Sequence, residues 1–229
     1  MNDLHQRKCF RFAITQVKNF VILDILKNYK YLKITKKDKK MKFREFLLNE
    51  AEYTVQPKTK AELTRIIEKT IKEKGDKCDL NFIDTSKITD MSYLFENSKF
   101  DGDISKWNVS NVKNMIFMFA KSNFNGDISM WNVSKVKDMS FMFTKSKFNG
   151  DISKWNVSNV EDMSFMFSES NFNGDISKWN VSNVEDMNFM FGKSNFSGDI
   201  SKWNVSNVKN MSNVFVGSPL EGKEPSWYR

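Results

Sequence analysis

The apolar positions of residues 79–229 recur with a period of 24. Trp107, Trp131, Trp155, Trp179, Trp203 and Trp227 set the register. Met91, Met115, Met139, Met163, Met187 and Met211 keep the same step, as do Phe100, Phe124, Phe148, Phe172 and Phe196. Within a copy the pattern has two parts. The segment 150–155 follows the turn pair Asn149-Gly150 and carries Ile152 and Trp155, which predicts a short strand. Val160, Met163, Met166 and Phe167 then fall at i, i+3, i+6 and i+7, which predicts about two turns of helix. Ser158 with Glu161, and Ser182 with Glu185, match the capping box, and Asp162 and Asp186 would favour the first turn of such a helix. A helix this short is marginal alone. It must pack on the strand of its own copy and on neighbouring copies, so the expected architecture is an α/β solenoid stabilised by nearest-neighbour contacts.

Ahead of the array, Thr59 and Glu62 form another capping box, and Leu63, Ile66, Ile67 and Ile71 make an apolar stripe. Gly75 suits a helix stop. A helix over 60–74 is therefore expected to cover the N-terminal open end of the core. The segment 78–86 reads as a degenerate first coil, with Leu80 at the Ile place and Ile83 at the Trp place. Pro219 and Pro225 lack the N–H that a further strand would need, so they read as a C-terminal stop. The expected organisation is a basic extension over 1–56, partly irregular or helical, a capping helix within 57–78, and the repeat array with its C-terminal cap over 79–229.

Charge separates the same regions. Residues 1–80 carry 20 Lys and Arg against 11 Asp and Glu, whereas residues 81–229 carry 16 against 17. The basic character thus belongs to the N-terminal side, where the run Lys33–Lys42 reads as a solvated linker with nucleic acid or an anionic membrane as the sharper alternative. The stretch Phe10–Leu32 is broken by five charges, too many for a spanning helix, and no signal-peptide core is visible. Met41 begins a segment that could be a natural start, which would make 1–40 an upstream extension.

Little in the chain points to catalysis. The sole histidine is His5, and most hydrolytic and zinc-dependent chemistry relies on histidine. Cys9 and Cys78 have no metal or redox spacing and read as free thiols. No catalytic, cofactor-binding or metal-binding residue is expected, and no cofactor. The Asp row (Asp103, Asp127, Asp151, Asp175, Asp199) supplies one carboxylate per coil, few of the oxygens calcium requires. Turn capping, with Lys106, Lys154, Lys178 and Lys202 as counter-charges, is preferred. The row Asn108, Asn132, Asn156, Asn180 and Asn204 opens Asn-Val-Ser sequons and is expected to point inward and bond loop backbone. The Trp and Phe rows are expected in the core rather than as stacking platforms for bases or sugars. Copies differ at Lys113, Lys137, Glu161, Glu185 and Lys209, and at Lys121, Lys145, Glu169 and Lys193. These are expected as exposed charges that tune partner choice.

The phrase NVSNVxxMxxMFxxSxFNGDISxW resembles the repeat of BspA-like leucine-rich-repeat surface proteins, including the PARCEL-type variable proteins, over roughly residues 57–229. Phe and Ile stand here for the family's leucines. The resemblance implies a leucine-rich-repeat-like α/β solenoid of short parallel strands and short helices. It also implies adhesion or protein interaction at a cell surface or outside the cell, with an unidentified protein or surface ligand as partner. A monomer is expected, with no transmembrane segment and no nucleic-acid partner for the repeats. The alternatives are a structural or virion-associated repeat protein, cytoplasmic or in a phage particle, and nucleic-acid contact through the N-terminal region.

Overall fold

Backbone hydrogen bonds in the repeats follow neither a helical nor a strand pattern. The structure is a computed structural model that describes residues 55–228, within a compact unit spanning 53–229. The expected basic extension over 1–56, the Lys33–Lys42 run, Cys9 and His5 lie wholly or almost wholly outside the described residues. In the coil that holds Met115, the N–H groups of Met115, Phe117, Phe119 and Lys121 donate to the next coil. Their acceptors are the carbonyls of Asp138, Ser140, Met142 and Thr144, at 2.9, 3.2, 2.9 and 2.7 Å. The intervening N–H groups of Met118, Ala120 and Ser122 fold back to Met115, Phe117 and Phe119, at 3.1, 3.1 and 3.2 Å. Every main-chain donor of this segment after Met115 that is not used in a turn therefore finds a partner one coil away or at a side chain, as buried backbone requires.

Phe117 and Lys121 have φ of 54°. Each is the third residue of a turn closed by one of those fold-back bonds, which is the type II signature. The same two places have positive φ in every coil from Tyr93 and Asn97 to Asn213 and Gly217. A left-handed residue every fourth position stops both a helix and a strand. The expected α/β solenoid of short strands and short helices is therefore corrected: the coils are successive turns. They meet at single parallel bridges, Asp90 to Asn114, Asp138, Asp162, Asp186 and Asn210 in sequence. The i, i+3, i+7 spacing that suggested a helix is the spacing of consecutive four-residue turns. The Ser158–Glu161 capping box is likewise not formed, because the Glu161 N–H donates to Lys137 O at 2.8 Å.

Short polar side chains make the corners. In one coil, Ser146 Oγ accepts from Phe148 N–H (3.0 Å) and Asp151 Oδ1 from Ser153 N–H (2.9 Å). Asn156 Oδ1 accepts from Ser158 N–H (3.1 Å) and Asp162 Oδ1 from Ser164 N–H (2.7 Å). Such side-chain turns offer the backbone an alternative to regular structure. They explain why Ser, Asn and Asp recur in every copy.

Inside, aromatic rows run along the stack. Phe95, Phe119, Phe143, Phe167, Phe191 and Phe215 stack with centroids 5.5–6.0 Å apart. Phe100, Phe124, Phe148, Phe172 and Phe196 form a second row at 6.1–6.3 Å. Gly150 lies against this row, where an added Cβ would come within 2.8 Å of the Phe148 ring. The Trp row is buried from Trp107 to Trp203 and half-buried at Trp227, and each indole N–H donates to a carbonyl of the preceding coil, from Trp107 to Leu80 O (3.0 Å) through Trp227 to Ile200 O (2.9 Å). Core packing is thus where the sequence put these rows.

The single helix among the described residues is α1, Lys60–Lys74, with Thr59 as N-cap accepting from Glu62 N–H. Leu63 and Ile67 of α1 are buried in the core that continues through the coils. At the other end Trp227 stacks on Trp203 at 6.4 Å and Tyr228 meets the Phe215 ring edge-on at 5.1 Å. Glu221 accepts the Gly217 N–H at 2.8 Å, a donor that in interior coils reaches the next coil. No helix among the described residues is long and apolar enough to cross a membrane.

Candidate interaction surface

One wall of the stack carries the charges that vary between coils. Lys113, Lys137, Glu161, Glu185 and Lys209 lie directly above one another. Each N–H from Lys137 onward donates to the same position one coil back, at 2.7–2.9 Å, so the side chains are held in one line. All five are exposed, as is the second set, Lys121, Lys145, Glu169 and Lys193. Lys137 pairs with Glu161 at 2.5 Å, Lys209 with Glu185 at 2.7 Å and Lys145 with Glu169 at 3.3 Å. These pairs are open to solvent, so each is worth only about 0.2–1 kcal/mol.

Beside the first line runs a row of carboxamides that sequence reasoning did not single out: Asn111, Asn159, Asn183 and Asn207, with Lys135 in the second place. Asn159, Asn183 and Asn207 donate from Nδ2 to Ser134, Ser158 and Ser182 carbonyls at 2.7, 2.6 and 2.6 Å. The two rows enclose a groove of about 600 Å³ lined by Lys137, Asn159, Glu161, Asn183, Glu185, Asn207 and Lys209. The signal was available, since the Asn recurs at the same 24-residue step. Nothing in the sequence alone placed it beside the charge row.

The other candidate rows have structural duties. The Asp row from Asp103 to Asp199 is exposed, and each carboxylate accepts the N–H of the Ser two places on, at 2.9 Å. Those turn bonds hold the carboxyls of Asp127, Asp151, Asp175 and Asp199 below the usual range. Among the described residues no direct ion pair joins this row to Lys106, Lys154, Lys178 or Lys202; the hydrogen bonds dominate the corner and those lysines add a smaller attraction as counter-charges. The row from Asn108 to Asn204 does bond backbone, but it is exposed and caps its own coil. The expectation that it points inward is therefore corrected. Cys78 is buried and unpaired, and burial pushes its thiol up.

A further row went unnoticed in the sequence. Tyr93, Phe117, Phe141, Phe165 and Phe189 occupy the first left-handed position of each coil and stack with centroids 4.4–5.1 Å apart. Their positive φ carries them to the outside, where Tyr93 is 51% exposed and the phenylalanines are half-buried.

No curated protein and no solved structure gives a match. Residues 63–171 and 146–219 both match one family, which overlap in the middle of the array as a tandem repeat should and together span more than half of the sequence. The chain therefore belongs to the family described as Mycoplasma protein of unknown function, DUF285.

Proposed function

We propose that this protein is a non-enzymatic interaction or adhesion module, of the BspA-like surface-protein type, which presents the groove face of its coil stack to a protein or surface ligand. One observation carries the reading. Core positions repeat the same residue coil after coil, while the line that edges the groove reads Lys, Lys, Glu, Glu, Lys. The two sign changes allow the ion pairs Lys137–Glu161 and Glu185–Lys209, which are open to solvent and add little to the fold, and the like-charged steps Lys113–Lys137 and Glu161–Glu185 add nothing to it. Rigid elements with a variable exposed row are how repeat stacks present binding surfaces.

The test is site-specific photo-cross-linking in cells that make the full chain. p-Benzoylphenylalanine placed at Asn183, in the groove, should capture one discrete partner. The same group at Asp175, on an exposed corner outside the groove, should not. Equal capture at both places, or none at Asn183, overturns the reading.

A further inference from the structure

The corner row two places before the Asp row is Asp101, Asn125, Asn149, Asn173 and Ser197. It links the coils. Each side chain from Asp101 to Asn173 accepts, through Oδ1, the N–H of the next member of the row, at 2.8–3.0 Å. Asn125, Asn149 and Asn173 are exposed, and each stands directly before a glycine: Gly126, Gly150 and Gly174. Among the described residues no other asparagine precedes a glycine. The fold itself requires those glycines, because a Cβ on any of them would come within 2.8–2.9 Å of the Phe ring two places back.

That pairing sets up a reaction of the chain with itself. Among the described residues the N–H groups of Gly126, Gly150 and Gly174 have no hydrogen-bond acceptor, so the nitrogen beside each Asn is uncommitted. Glycine brings no side chain to block its approach to the Asn Cγ. Negative charge builds on Oδ1 as that nitrogen adds to Cγ. Each of these oxygens already faces a main-chain N–H of the next coil, and a fixed donor at such an oxygen lowers the barrier. The Nδ2 atoms are neither hydrogen-bonded among the described residues nor buried, so ammonia can leave into water. Asn132, Asn156 and Asn180 are exposed too, but each precedes a β-branched valine that crowds the same attack.

We propose that Asn125, Asn149 and Asn173 are self-modification sites, which convert to aspartate and isoaspartate by intramolecular deamidation in the folded protein. The Gly nitrogen bonds to the Asn Cγ, the Cγ–Nδ2 bond breaks, and ammonia leaves with the Gly N–H proton. Water then opens the cyclic succinimide at either carbonyl and leaves a carboxylate. Nothing is oxidised or reduced, and water is the sole co-reactant. The aspartate product has a precedent within the chain: Asp101 holds the first place of the row and accepts the Asn125 N–H at 3.0 Å. Each event adds a negative charge to a line that begins with one. Isoaspartate also adds a methylene to the main chain at the coil junction. The row thus carries a record of the age of the molecule along one edge of the stack.

The experiment incubates the folded full chain at mildly alkaline pH, where the Gly nitrogen gives up its proton more readily, beside a sample unfolded in guanidinium. Peptide mapping by mass spectrometry reads each site. Amide-to-acid conversion should appear at Asn125, Asn149 and Asn173 and be absent at Asn132, Asn156 and Asn180. Released ammonia should match the acid formed, and heavy-oxygen water should label the new carboxyls. Asn149→Ser installs the residue that the row already carries at Ser197. It should remove that site alone and leave the rates at Asn125 and Asn173 unchanged. Conversion in the folded chain more than about tenfold slower than in the unfolded one overturns the proposal, because folding would then raise the barrier. Conversion spread equally over the asparagines that precede valine overturns it as well.

Discussion

Phe117 and Phe119 are two residues apart, belong to the same coil, and stack on the phenylalanines of the next coil. They do different work. The inner row, Phe95 to Phe215, is at most 1% exposed and stacks at 5.5–6.0 Å. The outer row stacks more closely, at 4.4–5.1 Å, yet is partly open to solvent. The inner row is Phe in every coil. The outer row opens with Tyr93 and gives way to Asn213. Ring distance therefore does not govern identity; removal from water does. Full burial of a Phe side chain is worth about 1.5–3 kcal/mol, while a stacked pair adds only about 0.5–1.5 kcal/mol beyond its area.

The sharpest way to break this contrast is to truncate one ring of each row in a central coil. Phe143→Ala should lose about 3–5 kcal/mol, because it removes a fully buried ring and leaves a cavity between two coils. Phe165→Ala should lose less, about 1–3 kcal/mol, because it gives up its stacks on Phe141 and Phe189 without leaving a sealed cavity. Denaturant unfolding of both variants gives the comparison. Similar losses would mean that the outer row is as much a part of the core as the inner one.

A smaller effect separates ring from backbone at the outer position. Phe165 has φ of 55°, a region that costs a non-glycine residue about 1–3 kcal/mol. Phe165→Gly loses the same ring as Phe165→Ala but sheds the strain. The glycine variant should therefore be the more stable of the two by about 1 kcal/mol. If alanine proves equal or better, the left-handed turn is not strained, and the outward path of the ring has another cause.

The period, the identity of the buried rows and α1 with its Thr59 cap were all legible, because each rests on apolar spacing or on a cap with a residue signature. The turn backbone was not. Its left-handed positions in the interior coils are filled by Phe, Lys and Glu, with Tyr93, Asn97, Asn213 and Gly217 only in the first and last coils, so the usual composition marker of positive φ is missing from most of the array. Stacked neighbours override local preference there. The groove was half legible: the variable charges stood out by their difference between copies, but the Asn row beside them, being nearly invariant, read as more of the same.

The two aspartate rows repeat the contrast of open and sheltered positions, with the smallest expected effect and opposite signs. At Asp151 and Asp175 turn hydrogen bonds from Ser153 and Ser177 hold the carboxyl below its ordinary value. The unfolded chain then binds protons first as pH falls. Their contribution is complete above the ordinary aspartate value and is lost as pH falls through the lowered one. Asp162, beside the outer aromatic row, goes the other way: burial raises its carboxyl against the Ser164 hydrogen bonds, and Asp138 and Asp186 add to the rise. Its folded form binds the proton more readily. It favours the fold below the ordinary value, and this is lost as pH rises through the raised value. Asparagine already stands in that row at Asn114 and Asn210, where Asn210 Oδ1 keeps the turn bond from Ser212 and Nδ2 donates to Asp186 at 3.0 Å. Asp162→Asn should therefore raise Tm at neutral pH, while Asp151→Asn should lower it slightly. Both differences from the parent should shrink as pH falls below the aspartate range. Melting curves from acid to neutral pH read both, and two shifts of the same sign would show that charge along the stack, rather than each row's own shelter, sets the response.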